Sequence, residues 1–250
     1  MQLPVLKDKP TGIVVYRGPS QFDGGPIAAI ATGFKRSKNP KTGKMIQIWI
    51  IRRDMVPGEA ADAGEDESVC GSCKHRHFRS CYVNLGQGVW HVYHGLKNGI
   101  YKNATPNSLK YFAGQNIRLG AYGDPASVPI DIWDSICGVA AGWTGYTHAW
   151  RKSQHQDIKK YCMASADTED EALLAMERGW KPFYVRQAGD PIPDKFFSCP
   201  AAKESGQRLS CSECKVCSGG EYREGQGMPT IIAHGPSWKR SYFLQGIKRY

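Results

Sequence analysis

The sequence predicts an α/β protein: a partial (β/α) barrel of parallel strands with an N-terminal β-rich extension. Three observations predict it. From Met45 onward, short β-branched or aromatic runs alternate with helix-like stretches, the order that builds parallel βαβ units. The chain has 250 residues, 41% hydrophobic and 22% charged, enough apolar content for a sizeable core. About five or six units of roughly thirty residues each fit between Met45 and Gly235. A full barrel needs eight, so an open one is expected. The expected division is an extension over residues 1–44, a metal- or cluster-binding barrel over 45–235, and a basic aromatic tail over 236–250.

In chain order, Gly12–Tyr16 and Ile27–Ala31 read as short strands, separated by the turn signals Gly18-Pro19 and Asp23-Gly24-Gly25-Pro26. Ser37–Lys44, with Asn39-Pro40-Lys41-Thr42-Gly43 inside it, reads as a turn. Met45–Ile51 is β-branched and aromatic and reads as a strand. Val83–Leu96 is expected to be helical. Asn116–Tyr122 reads as a strand ending at Gly123-Asp124-Pro125. Val128–Ala141 reads as a helix with Pro129 in its first turn, where a missing N–H is harmless. Gly145–Trp150 is a short strand or its exit loop, and Tyr161–Ser165 a further strand. Thr168 reads as an N-cap forming a capping box with Glu171. Ala172, Leu173, Ala175 and Met176 then give a helix its apolar face, and Gly179 stops it. Lys181–Arg186 and Thr230–His234 complete the strands.

Seven of the nine cysteines fall into two sets. Cys70, Cys73 and Cys81 are spaced C-x2-C-x7-C and followed by Tyr82. Cys199, Cys211, Cys214 and Cys217 are spaced C-x11-C-x2-C-x2-C. Thiolates two residues apart on a loop converge on one metal or cluster. Three leave a coordination position open, and four close a site. Disulfides are the plain alternative, but no secretory signal opens the chain; Leu3–Leu6 is too short for one. A cytoplasmic chain keeps its thiols reduced. The C-x2-C-x2-C run is nearer to ferredoxin-type spacing than to paired zinc knuckles, so one or two [4Fe–4S] clusters are expected, with zinc as the alternative. His75 or His77 as a fourth ligand would close the first site around zinc. His91 and His94 are placed to chelate or to line a core, and His155 has no evident context. Cys137 and Cys162 stand in apolar surroundings and read as core residues.

The net charge of +10 is unevenly spread. Residues 35–53 carry Lys35, Arg36, Lys38, Lys41, Lys44, Arg52 and Arg53 without an acid. Residues 54–67 carry Asp54, Glu59, Asp62, Glu65, Asp66 and Glu67 without a base. Residues 238–250 interleave Lys239, Arg240, Lys248 and Arg249 with Trp238, Tyr242, Phe243 and Tyr250. Basic segments with aromatics suit nucleic acid. The acidic stretch would repel a phosphate backbone unless it folds away. No apolar run is long enough to cross a membrane.

In parallel sheets, functional residues gather where strands end. Those ends carry Asp124, then Thr147 and His148, Ser165 and Asp167, Arg186 and Gln187, Cys199, and His234. Asp124, His148, Ser165 and Arg186 are the candidates to line a substrate cavity and act there.

The run Ser37-x-Asn39-x-Lys41-Thr42-Gly43, then Cys70-x-x-Cys73, then Cys81-Tyr82, resembles the bacteriophage gene-product-eighty-eight family. Gly123-Asp124-Pro125 and Tyr146-Thr147-His148 are similar to later blocks of that family. The likeness spans residues 37–150 and extends toward 235. It implies a viral origin and the host cytoplasm. The layout also resembles, at a distance, the radical S-adenosylmethionine (radical SAM) enzymes. That likeness implies a reactive [4Fe–4S] cluster on Cys70, Cys73 and Cys81 beside Tyr82, with S-adenosylmethionine as cosubstrate. It implies an auxiliary cluster on Cys199, Cys211, Cys214 and Cys217. The spacing differs from that superfamily's C-x3-C-x2-C. Three functions are thus weighed: an iron–sulfur protein of radical type, a zinc-stabilised nucleic-acid-binding protein without catalysis, and an inhibitor acting on a host partner.

Overall fold

The computed structural model describes residues 8–35, 39–77 and 79–247, apart from the side chains of His77 and Ile247. Leu3–Leu6, Arg36, Ser37, Lys38, the His77 side chain as a ligand, and Lys248, Arg249 and Tyr250 of the tail therefore lie outside the described residues.

The strands are β1 (Gly12–Pro19), β2 (Pro26–Thr32), β3 (Met45–Arg52), β4 (Lys102–Asn103), β5 (Asn116–Tyr122), β6 (Gly142–Thr144), β7 (Tyr146–Thr147), β8 (Met163–Ala166), β9 (Pro182–Arg186), β10 (Phe196–Ser198) and β11 (Met228–Ile232). The helices are α1 (Pro57–Ala63), α2 (Glu67–Cys70), α3 (Lys74–His77), α4 (Trp90–Lys97), α5 (Ile130–Val139), α6 (Glu169–Glu177), α7 (Cys211–Cys214) and α8 (Ser237–Ile247).

Two sheets form, ordered β4-β1-β2-β3-β5-β6 and β10-β11-β9-β8-β7. Strands β6 and β7 are separated only by Gly145, so one bent segment belongs to both sheets. A side chain at Gly145 would meet the Cys162 sulfur and the Tyr161 carbonyl at 2.7 Å, which is why the bend needs glycine. Read through that bend, β3, β5, β6/β7, β8, β9, β11 and β10 are all parallel neighbours. Gln47, Trp49, Arg118, Thr144, Tyr146, Ser165, Phe183, Val185 and Ile231, from six successive positions of this array, line a single cavity. The array therefore curves around that cavity, and among the described residues no pairing of β3 with β10 closes it; its seven positions exceed the five or six units expected. The extension is continuous with it, since β1 and β2 pair antiparallel and β2 pairs antiparallel with β3. With neighbours on both sides, Ile27–Ala31 is wholly buried. Trp133, Trp150 and Trp180 are among the largest fully buried side chains. Cys137 and Cys162 lie in the same core.

Several elements depart from their sequence reading. The helix expected over Val83–Leu96 becomes a wide turn over Leu85–Val89, broken at Gln87 (φ −121°, ψ −110°), followed by α4. Gly86 and Gly88 flank the break, and glycine weakens a helix. Pro129 is the cap preceding α5, not a residue of its first turn. Thr168 accepts from the Glu171 N–H at 3.1 Å, but the Glu171 carboxylate accepts from Asp167 instead of Thr168, so the box closes one residue early. The last strand ends at Ile232, before His234. The crossover from β7 to β8 runs through three short 3₁₀ turns instead of an α-helix. Residues 237–247 of the basic tail are helix α8. It docks through Lys239, whose Nζ donates to the Cys81 and Val83 carbonyls at 2.6 and 3.0 Å, and through buried Phe243, stacked on His75.

His155 is 6% exposed, with Phe22 edge-on at 5.1 Å. Burial holds its pKa below the usual 6.5. As pH falls from 6.5, the unfolded chain takes up this proton before the folded one, so folding stability falls. The urea midpoint should drop between pH 7.5 and pH 5.5 (values chosen to bracket a histidine pKa of about 6.5), and drop less in His155→Gln. Equal drops in both proteins would rule out His155 as a source.

Candidate metal and substrate cavity

All seven clustered cysteines line the cavity, which measures about 550 Å³. That volume is within the range of small-molecule sites. The nine cysteines are free thiols.

The first set follows β3. Cys70 ends α2, Gly71 (φ 55°) turns the chain, and Cys73 precedes α3. The Asp124 N–H donates to the Val69 carbonyl at 2.9 Å, tying this loop to the C-terminal end of β5. Of the acids ahead of the loop, Asp54 and Glu65 pair with Arg52, Asp62 with Arg79 and Asp66 with Arg76. The second set lies elsewhere. The Cys199 N–H donates to Thr230 on β11, the Cys211 N–H to the Lys41 carbonyl, and the Ser212 N–H to Thr42. The segment from Cys199 to Cys217 thus bridges the last strands of the parallel array and the chain entering its first strand. Gly145 donates to the Cys217 carbonyl, and Asn116 to the Ser212 carbonyl, so this set sits by the starts of β5 to β7.

Burial pushes the thiols of Cys70, Cys73 and Cys81 above the usual cysteine range, and their neighbouring sulfurs and carboxylates add to it for Cys70 and Cys73. Cys199, Cys211 and Cys217 are raised by burial too. Such thiols stay protonated until a cation displaces the proton. As a donor set, two groups of buried or half-buried thiols lining one cavity fit inorganic iron or zinc.

Between the sets runs a polar network. His75 Nε2 lies 3.0 Å from Asp167 Oδ2, and its Nδ1 lies 2.7 Å from Ser80 Oγ. An ionised Asp167 only accepts, so Nε2–H donates to it. Lys74 Nζ lies 3.0 Å from both Asp167 and Glu171. Burial opposes the charge on Asp167, yet His75, His148 and Lys74 hold its carboxyl well below the usual range. His148 is lowered to about 4 by burial and by His75, so it is neutral at pH 7. Asp124 is raised to about 6 by burial, against N–H bonds from Ala126 (3.0 Å) and His148 (2.8 Å). It can therefore hold or release a proton near neutral pH.

Of the sequence candidates, Asp124, His148, Ser165 and Tyr82 reach the cavity with the cysteines. Arg186 is a correction. Alternation along β9 turns Phe183 and Val185 inward, leaving Arg186 on the opposite face, where Nη1 donates to the Asp190 carbonyl at 2.6 Å. Sequence reasoning missed Arg118 and did not assign Lys41, Tyr146 or Lys239 to the cavity that all four line. The available signal was a lone arginine in a strand otherwise built for burial, Asn116–Tyr122. Among the described residues, no helix is long and apolar enough to cross a membrane.

No protein-family model, curated protein or solved structure matches this chain.

Proposed function

We propose that this chain is a phage-type iron–sulfur protein with an enzymatic chamber of radical SAM-like kind. In this reading, Cys70, Cys73 and Cys81 hold an open cluster, and Cys199, Cys211, Cys214 and Cys217 an auxiliary one. The carrying observation is that both cysteine sets, from distant parts of the sequence, line the same small-molecule-sized cavity. A cluster with one iron not held by the protein supplies, when bound, a position for a small cosubstrate such as S-adenosylmethionine and an electron for it.

The chain's own residues supply the rest. Helix α8 closes one side through Lys239 and Phe243, limiting water. Asp124, at the C-terminal end of β5, is raised by burial to about 6 and can take up or release a proton there. Neutral His148 and ionised Asp167 line the same cavity with Ser165 and offer it polar groups that can orient a substrate.

The C-x2-C-x2-C spacing of Cys211, Cys214 and Cys217 supports iron–sulfur over single zinc ions. Among the described residues, His75, His148 and Asp167 each bring a ligating atom within 4.8 Å of the others. The ammonium of Lys74 on the same Asp167 oxygen makes that trio a proton and ion-pair network, not a cation site. A phosphate-gripping surface draws less support, because Lys41 faces the cavity, Arg52 is paired and Lys239 is bonded to carbonyls.

Anaerobically purified protein should contain iron and acid-labile sulfide in equal amounts, with a broad absorbance near about 400 nm. Stoichiometric zinc without sulfide would instead favour the zinc-stabilised reading.

A further inference from the structure

Arg118 projects from the middle of β5 into the cavity. Its only hydrogen bond among the described residues is from Nη2 to the Tyr82 hydroxyl, at 2.7 Å. Its Nε is buried and has no partner. No carboxylate pairs with it among the described residues. The cavity's two acids are committed elsewhere: Asp124 to the N–H groups of Ala126 and His148, Asp167 to Lys74 and His75. Lys41 faces the same space, and its ammonium likewise has no carboxylate partner among the described residues. His234 lines it beside them, and burial together with Lys41 favours its neutral form.

A half-buried guanidinium with a buried, unpartnered Nε and no carboxylate partner is costly. Two cations facing one cavity add to that cost, since they repel, and the nearby Cys199 and Cys211 sulfurs offset it only when ionised. A bound anion removes both costs, and the planar fork of arginine matches a carboxylate or phosphate. We infer that Arg118 and Lys41 form the anion-binding subsite of this cavity, and that its substrate is a small molecule carrying a carboxylate or phosphate group. Tyr82, held by Arg118 and directly following Cys81, links that subsite to the first cysteine set. The inference rests on reading the cavity as the reaction chamber, but not on which inorganic group the cysteines hold.

The test is binding of pyrophosphate and of succinate to the full chain as isolated, by calorimetry and by thermal shift. At least one should bind and raise the melting temperature. The phosphate and carboxylate arms tell the two sources apart. Arg118→Leu should weaken that binding about tenfold or more, the effect of losing a charge-assisted contact. Lys41→Met should weaken it less, and Lys102→Met, on exposed β4, should leave it unchanged. If Arg118→Leu does not fold, Arg118→Lys serves: it keeps the charge, loses the fork, and should still bind more weakly. The inference is overturned if neither anion binds, or if both bind the Arg118 variants as tightly as the parent chain. It is also overturned if Arg118→Leu leaves anion binding intact and only lowers the iron held by the second set, because the cations would then merely offset thiolates. Iron and sulfide are measured on the same preparations. Anion binding without iron would refute the cluster reading alone, and iron without anion binding would refute this one alone.

Discussion

Cys73→Ala should retain about half the iron and sulfide of the parent protein, whereas Cys214→Ala should retain more than half. The asymmetry follows from ligand count. The first set has three thiols, and losing one leaves two, too few to hold a cluster of the usual kind. The second set has four, and losing one leaves three, the number proposed to suffice at the first. Removing Cys211 and Cys217 together should therefore be needed to empty the second site. Independence follows from placement: Cys73 lies between α2 and α3 after β3, while the second set is anchored on Lys41, Thr42 and Thr230. Each emptied site should also lower stability by several kcal/mol, because thiolate–metal binding energy is folding energy. Iron quantified against protein, with urea midpoints on the same samples, reads both effects. Complete loss of iron in Cys73→Ala would mean that all seven thiols serve one centre, and the two-cluster proposal would fail.

How much of this was legible in the residues depends on whether the signal was local. Met45–Ile51 was readable as a strand because β-branched and aromatic residues dominate it, and Asn116–Tyr122 because Ile117, Leu119 and Ala121 alternate up to the Gly123-Asp124-Pro125 stop; the structure places β3 and β5 there. The stop of α6 was readable because Gly179 adopts φ 73°. The three-residue strands β6 and β10 carry too few side chains to show a period. Helix α8 has almost no amphipathic pattern, since Lys239 holds it as well as Phe243 does, and that bond is invisible in the sequence. The same limit applies at the site. Spacing announces that Cys70 and Cys73, or Cys211, Cys214 and Cys217, can converge. It does not say that both sets meet one cavity, because that depends on the curl of seven strands and on which loop crosses to which. The face of Arg186 was misjudged for a related reason. Its side depends on the register of β9, set by pairing with β8 and β11.

Gly123→Ala should destabilise the fold by about 2–4 kcal/mol and should lower the iron of the first set ahead of the second. Gly123 has φ 83°, where a side chain costs about 1 kcal/mol by itself. An added methyl would also meet Ile50 Cβ at 2.7 Å, Val69 Cγ1 at 2.8 Å and the Ile50 carbonyl at 2.9 Å. These neighbours belong to β3 and α2 and are buried, so relief requires moving backbone, an overpacking cost of roughly 1–3 kcal/mol. The direction of yield is set by what is adjacent. Asp124 is bonded to Val69, and Cys70 follows Val69, so the strain is transmitted to the cysteine loop and to the near-neutral carboxyl together. Gly64 is the control: its φ is 76°, and nothing lies within 4 Å of an added Cβ. Gly64→Ala should therefore cost only the conformational part, about 1 kcal/mol. Urea midpoints of the two variants separate backbone preference from packing. If they coincide, the close approach of β5's end to the first cysteine loop is wrong, and with it the placement of Asp124 beside those thiols.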